Sequence, residues 1–199
     1  GTTLPQPALA EFDALRLRAI TAEPRRYGFH ATLKPPFALA QGFTREQLDD
    51  AAATLARQGA AFETPRLQLS CIMGFWALTL SAPCPSLHAL ADHCVSELDG
   101  FRAPPSAEEL ARRRRARLTA RHDELLVRWG YPYVMEEFRF HMTLTTRLDA
   151  AEGALVSRVL EPLVSPLCQQ PLAIDALSLF HQPSQDAPFR LVRRHPLRK

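Results

Sequence analysis

Two short stretches carry the same order of side chains capable of proton chemistry. Phe29-His30-Ala31-Thr32-Leu33 lies within YGFHATLKPPF, and Phe140-His141-Met142-Thr143-Leu144 lies within EFRFHMTLTTRL. An unperturbed imidazole exchanges a proton near neutral pH, and a threonine hydroxyl donates readily to an anionic oxygen. Two of each, facing one another, suit in-line displacement at phosphorus. One imidazole takes a proton from the attacking oxygen and the other returns one to the leaving oxygen. The two hydroxyls bond to the non-bridging oxygens, where negative charge must be stabilised. A cyclic phosphodiester fits such a site, because ring strain lowers the barrier left for the protein to overcome.

The elements that must position these groups follow from the alternation. Phe29, Ala31 and Leu33 are apolar, with His30, Thr32 and Lys34 polar between them; Phe140, Met142 and Leu144 alternate in the same way with Arg139, His141, Thr143 and Thr145. A period of two predicts strands over 27–33 and 138–145, each with its His and Thr on one face. By the same parity Lys34 and Arg139 share that face, as phosphate ligands or as solvated charges at the strand ends. Tyr27 and Tyr133 could stack on a base, close a cleft or pack in the core with the hydroxyl exposed. Arg190, in the last strand, is a weaker candidate for pointing inward.

Around the motifs, helices are predicted at 7–20, 44–58, 86–98, 106–129 and from Asp149 to about Leu160. Thr44-Arg45-Glu46-Gln47 and Ser106-Ala107-Glu108-Glu109 have the capping-box shape. Pro24 is expected to end the first helix in a loop over 21–26. Residues 61–72 and 75–82 predict a hairpin about Gly74, and 171–181 and 188–195 a second pair of strands. The order of motif strand, helix and strand pair occurs twice, which reads as an internal duplication and an α+β class.

At this point the chain resembles the 2H phosphoesterase superfamily, named for two His-x-Thr/Ser motifs. Within it, RRYGFHATLKPPF and WGYPYV followed by EFRFHMTLT are similar to an uncharacterised bacterial branch associated with phosphonate-utilisation operons. The resemblance runs over nearly the whole chain. It implies one two-lobed domain over 1–199, with duplicated antiparallel sheets in pseudo-twofold relation, flanking helices and a cleft between the motif strands. Residues 100–137 would be a helical insertion between the halves. It also implies an N-terminal strand ahead of the first motif, for which residues 1–20 offer only helix and linker. By resemblance His30 and His141 form the acid–base pair, and Thr32 and Thr143 bind phosphate. The reaction implied is hydrolysis of a 2′,3′-cyclic nucleotide or cyclic ribose phosphate, without metal or other cofactor.

Composition sets the remaining bounds. The chain has 199 residues, 46% hydrophobic and 23% charged, enough for one sizeable core. A net charge of +3 permits an anionic substrate without demanding nucleic acid, and no DNA partner is expected. An RNA end, with hydrolysis of a 2′,3′-cyclic terminus or 2′-5′ joining, is the alternative substrate. Arg114, Arg117, Arg121 and Arg128 would share one side of a continuous helix, as an RNA-facing stripe or a solvated face. A phosphate-binding module without turnover is the third reading, which intact His and Thr in both motifs disfavour. His88, His93, His122, His181 and His195 show no ligand spacing with acids or cysteines, so no metal is expected. Four cysteines without a disulfide pattern, no transmembrane-length run and no leader predict a cytoplasmic protein.

Overall fold

The computed structural model describes residues 6–184 and 186–199; the part of the N-terminal prediction that falls on 1–5 lies outside them. The architecture is α+β. Helix α1 (Ala14–Ile20) starts where the Asp13 carboxylate accepts the Arg16 N–H at 2.7 Å. Leu9 and Phe12, expected within this helix, instead pack ahead of it against Leu17, Ile20 and Val156. Helix α2 (Ala22–Tyr27) replaces the loop expected at 21–26. Pro24 falls in its first turn, where the missing N–H has no intrahelical partner to lose.

Helix α3 (Arg45–Gln58) has the predicted capping box, with Thr44 and Gln47 satisfying each other's backbone N–H groups at 2.8 and 3.2 Å. Strands β1 (Phe62–Ile72) and β2 (Phe75–Leu80) form the predicted hairpin. Both turn residues, Met73 and Gly74, have positive φ, as a tight hairpin turn requires. Helix α4 (Pro85–Glu97) follows with proline at its start.

The long helix expected over 106–129 is two: α5 (Ala107–Arg114) and α6 (Ala120–Trp129). Arg117 at φ 51° interrupts the helix, and Thr119 recaps it by accepting the His122 N–H at 3.1 Å. Strand β3 is only Met142–Thr143, and helix α7 (Ala150–Val164) begins at the predicted Asp149 cap. The strand expected over 171–181 breaks at Asp175 into β4 (Pro171–Ile174) and β5 (Ala176–His181), and β6 (Arg190–Pro196) closes the chain.

The strands form an antiparallel sheet in the order β3-β2-β1-β4 and a hairpin β5-β6. Asp175 is the point at which the chain leaves one sheet for the other. Leu67, Leu78, Leu87, Ala91, Phe140 and Met142 fill the core against the four-stranded sheet. A second cluster, including Leu48, Leu55, Leu90 and Leu177, joins α3 and α4 to the hairpin. Such closely packed layers set the backbone on which the motif side chains stand. The four cysteines are unpaired, and burial pushes the Cys94 thiol up to about 12, which keeps it protonated and unreactive. No helix among the described residues is long and apolar enough to cross a membrane.

Candidate active site

The first motif is not a strand. Residues 28–33 belong to no sheet ladder, and of the three apolar positions only Ala31 and Leu33 pack inward; Phe29 is 62% exposed. Alternation survives locally without a neighbouring strand to enforce it. The segment departs from α2 through Gly28, at φ 74° and ψ 179°, a conformation almost confined to glycine. The chain then folds back so that the Gly28 carbonyl accepts a hydrogen bond from His30 Nδ1 at 2.9 Å. His30 Nε2 lies 3.1 Å from the Thr32 hydroxyl. The imidazole also meets the Tyr27 ring at 5.6 Å in a stacked arrangement and the Phe180 ring of β5 at 5.9 Å.

The second motif repeats this local geometry on a different support. Thr143 and Met142 pair with Ala77 and Leu78 of β2, so Met142 is buried and Thr143 stands on the opposite face. His141 Nδ1 lies 2.8 Å from the Arg139 carbonyl, again two residues back, and its ring is 5.9 Å from Phe75. A carbonyl only accepts, so both histidines carry hydrogen on Nδ1. That leaves Nε2 of each as the atom for proton exchange.

One cleft receives residues from both motifs. Its volume is about 460 Å³, and its walls include Glu23, Tyr27, His30, Thr143, Thr146 and Arg147. This volume lies in the range of small-molecule sites. Phe75, against the His141 ring, is also a wall residue, while His141 itself and Thr32 are not among the walls. Glu23 and Tyr27 share a face of α2 at a four-residue spacing. Tyr27 stacks on Phe189 at 4.8 Å as well as on His30, so it packs the histidine in place.

The other predicted ligands go elsewhere. Lys34 does not share the His30 face: the chain bends at Leu33-Lys34, and parity fails without a strand. Its ammonium donates to the Val95 carbonyl at 3.0 Å, lies 3.4 Å from Asp99 and sits 5.2 Å from the Phe37 ring centre. Burial lowers the Lys34 pKa, against the pull of Asp99. Burial also acts to raise Asp99, but the Arg102 hydrogen bond and the Lys34 charge outweigh it and hold that carboxyl below its ordinary value. Tyr133 meets His122 and Tyr131 edge-on and is not among the cleft walls. Arg139 contributes its carbonyl to His141, while its side chain is exposed.

The arginine stripe dissolves with the break between α5 and α6. Arg114 pairs with Asp123 at 2.6 Å, Arg121 pairs with Glu136 and Glu124, and Arg128 covers the Trp129 ring. Arg147, Glu23 and the Phe180–Phe189 flank are site features that motif reading missed. Arg147 follows the second motif directly and could have been suspected from that position. The phenylalanines come from the far end of the chain and carry no local signal. Among the described residues, no three His, Cys, Asp or Glu side chains converge as metal ligands.

The chain belongs to the family described as protein of unknown function (DUF1045), which matches residues 32–190. Two curated relatives are similar over most of the chain. A protein of Janthinobacterium sp. (strain Marseille) named ribose 1,5-bisphosphate phosphokinase PhnN is 41% identical over 184 residues, covering 90% of this chain and 41% of the relative. One of the same name from Laribacter hongkongensis (strain HLHK9) is 37% identical over 169 residues, covering 84% and 38%. The chain thus spans about two fifths of the length of these relatives.

Proposed function

We propose that the protein is a phosphoesterase that opens a cyclic phosphodiester of the 2′,3′-cyclic nucleotide or cyclic ribose phosphate type. The observation that carries this reading is the shared cleft: His30 of one motif and Thr143 of the other line it together. The matching Nδ1 bonds to Gly28 and Arg139 add that each imidazole is fixed against its own backbone with Nε2 directed to proton exchange. On this reading the motifs belong to two duplicated lobes, with the cleft between them and 100–137 as an insertion.

In the proposed reaction, Nε2 of one histidine takes a proton from water. The water oxygen bonds to phosphorus as the ring P–O bond breaks. Nε2 of the other, protonated, histidine gives its proton to the released alkoxide, and the product is a phosphomonoester. Thr143 donates to a non-bridging oxygen, and Thr32 does so once substrate displaces its hydroxyl from His30 Nε2. Protons and charge balance between the two imidazoles, so the steps call for no further group.

The relatives' name speaks of ribose bisphosphate, which supports a ribose phosphate as substrate and, with the PhnN label, a setting in phosphonate metabolism. Their named phosphokinase chemistry does not transfer with it. This sequence has two lysines, Lys34 and Lys199, and neither stands in a Gly-x-x-x-x-Gly-Lys-Ser/Thr loop that cradles nucleotide phosphates. An RNA-end substrate has lost its continuous basic stripe, broken between α5 and α6 with Arg114 and Arg121 in ion pairs. The test is ³¹P NMR of nucleoside 2′,3′-cyclic phosphates, a cyclic ribose phosphate and a cyclic-ended oligonucleotide incubated with the protein and a chelator. Conversion of a small cyclic ester to a monoester is expected. Conversion of the oligonucleotide alone would overturn the small-molecule assignment.

A further inference from the structure

We propose that the same cleft contains a second anion subsite, centred on Arg147 with Glu23 and Thr146 beside it. The ligand it selects is a hydroxyl-bearing sugar phosphate with a second phosphate group. This rests on the cyclic phosphodiester reading of the cleft and adds the part of the substrate that does not react.

Arg147 and Glu23 both line the cleft, yet neither makes an ion pair or side-chain hydrogen bond among the described residues, with each other or with anything else. Some exposed arginines are paired, Arg16 with Glu152, Arg114 with Asp123 and Arg194 with Asp175, and others are not; what sets Arg147 apart is its place in the cleft wall. The backbone that carries Arg147 is fixed on both sides. The Thr146 N–H donates to the Ile20 carbonyl at 2.7 Å, and the Leu148 N–H to the Gly74 carbonyl at 2.8 Å. The neighbouring hydroxyls divide in the same sense. Thr145 is buried and committed, accepting from the Trp76 N–H and donating to the Thr146 carbonyl, while the Thr146 hydroxyl has no such bond and lines the cleft.

A guanidinium on a fixed backbone suits a phosphate, which it can hold with two parallel hydrogen bonds. A carboxylate in the same space repels a bare anion and accepts hydrogen bonds from sugar hydroxyls. Together they favour a sugar that brings both donors and a second charge over inorganic phosphate.

Calorimetric titration of the full chain with ribose 5-phosphate and ribose 1,5-bisphosphate tests this, using wild type, Arg147→Gln, Arg147→Lys and His30→Ala. The bisphosphate is expected to bind about tenfold tighter than the monophosphate, the gain typical of one charge-assisted contact. Arg147→Gln should bring the two affinities within about twofold of one another, and Arg147→Lys should retain part of the difference, showing that the site and not the fold was lost. Equal affinities in wild type, unchanged by Arg147→Gln but weakened by His30→Ala, would overturn the second subsite and leave the phosphate site standing. Binding of neither ligand would overturn both.

Discussion

Each motif histidine is committed at Nδ1 to a carbonyl two residues back, so its chemistry is confined to Nε2. On the proposed reaction, loss of either imidazole removes a proton-transfer group, a change that typically costs 10²–10⁴-fold. Asp99 behaves differently. It joins Lys34 and Arg102, whose side chains are 8% and 12% exposed, so Asp99→Asn leaves two cations facing one another in a poorly solvated place. A loss of about 3 kcal/mol is expected in urea unfolding, near the lower end for broken buried pairs because Asp99 is itself a quarter exposed. Its pKa is depressed in the fold. The contribution is therefore complete above the ordinary carboxylate range and disappears as pH falls through the depressed value. Wild type should lose stability across that acidic window more steeply than Asp99→Asn, as unfolding curves between neutral and strongly acidic pH would show.

Among the elements, α2 and Gly28 matter most for the site. Gly28→Ala places a Cβ in a backbone region nearly closed to other residues, with open space around it, so the cost is conformational. A destabilisation of about 1–3 kcal/mol is expected, with turnover falling as the carbonyl that holds His30 shifts. Thermal melts read beside kcat would check both. Much at this scale was legible in the sequence. Thr44 and Gln47, Asp149, and the turn at Gly74 act through neighbours a few residues away, and each is where local chemistry puts it. The failures have one cause: they depend on what lies beside a segment in space. No strand flanks 28–33, so its period of two does not become a strand, and Lys34 turns to Val95 instead of the cleft. The Asp175 switch and the interruption at Arg117 fall where no glycine or proline marks them in the sequence.

Taken as a whole, the molecule brings α2 and the segment after β3 to one cleft, and Phe180 and Phe189 around the terminal hairpin pack against its Tyr27 and His30 walls. The basic insertion does not present a continuous stripe, since its helix breaks at Arg117 and Arg114 and Arg121 are engaged with Asp123, Glu124 and Glu136. Turnover should therefore depend weakly on salt, with a log–log slope nearer about −1 than the slope of about −4 or steeper expected for a protein neutralising five or more nucleic-acid phosphates. Measuring kcat/KM between low and moderate salt decides this. The family-matched segment, 32–190, holds His141, Thr143 and Arg147, while His30 stands just ahead of it.

The central claim is that two histidines from separate motifs act on one phosphorus. The most direct measurement is turnover of a cyclic ribose phosphate, with chelator present, by wild type, His30→Ala and His141→Ala. Chelator-resistant conversion to a monoester is expected, with a loss of at least about 10²-fold in each variant and both variants folded. Full activity in either folded variant would contradict it.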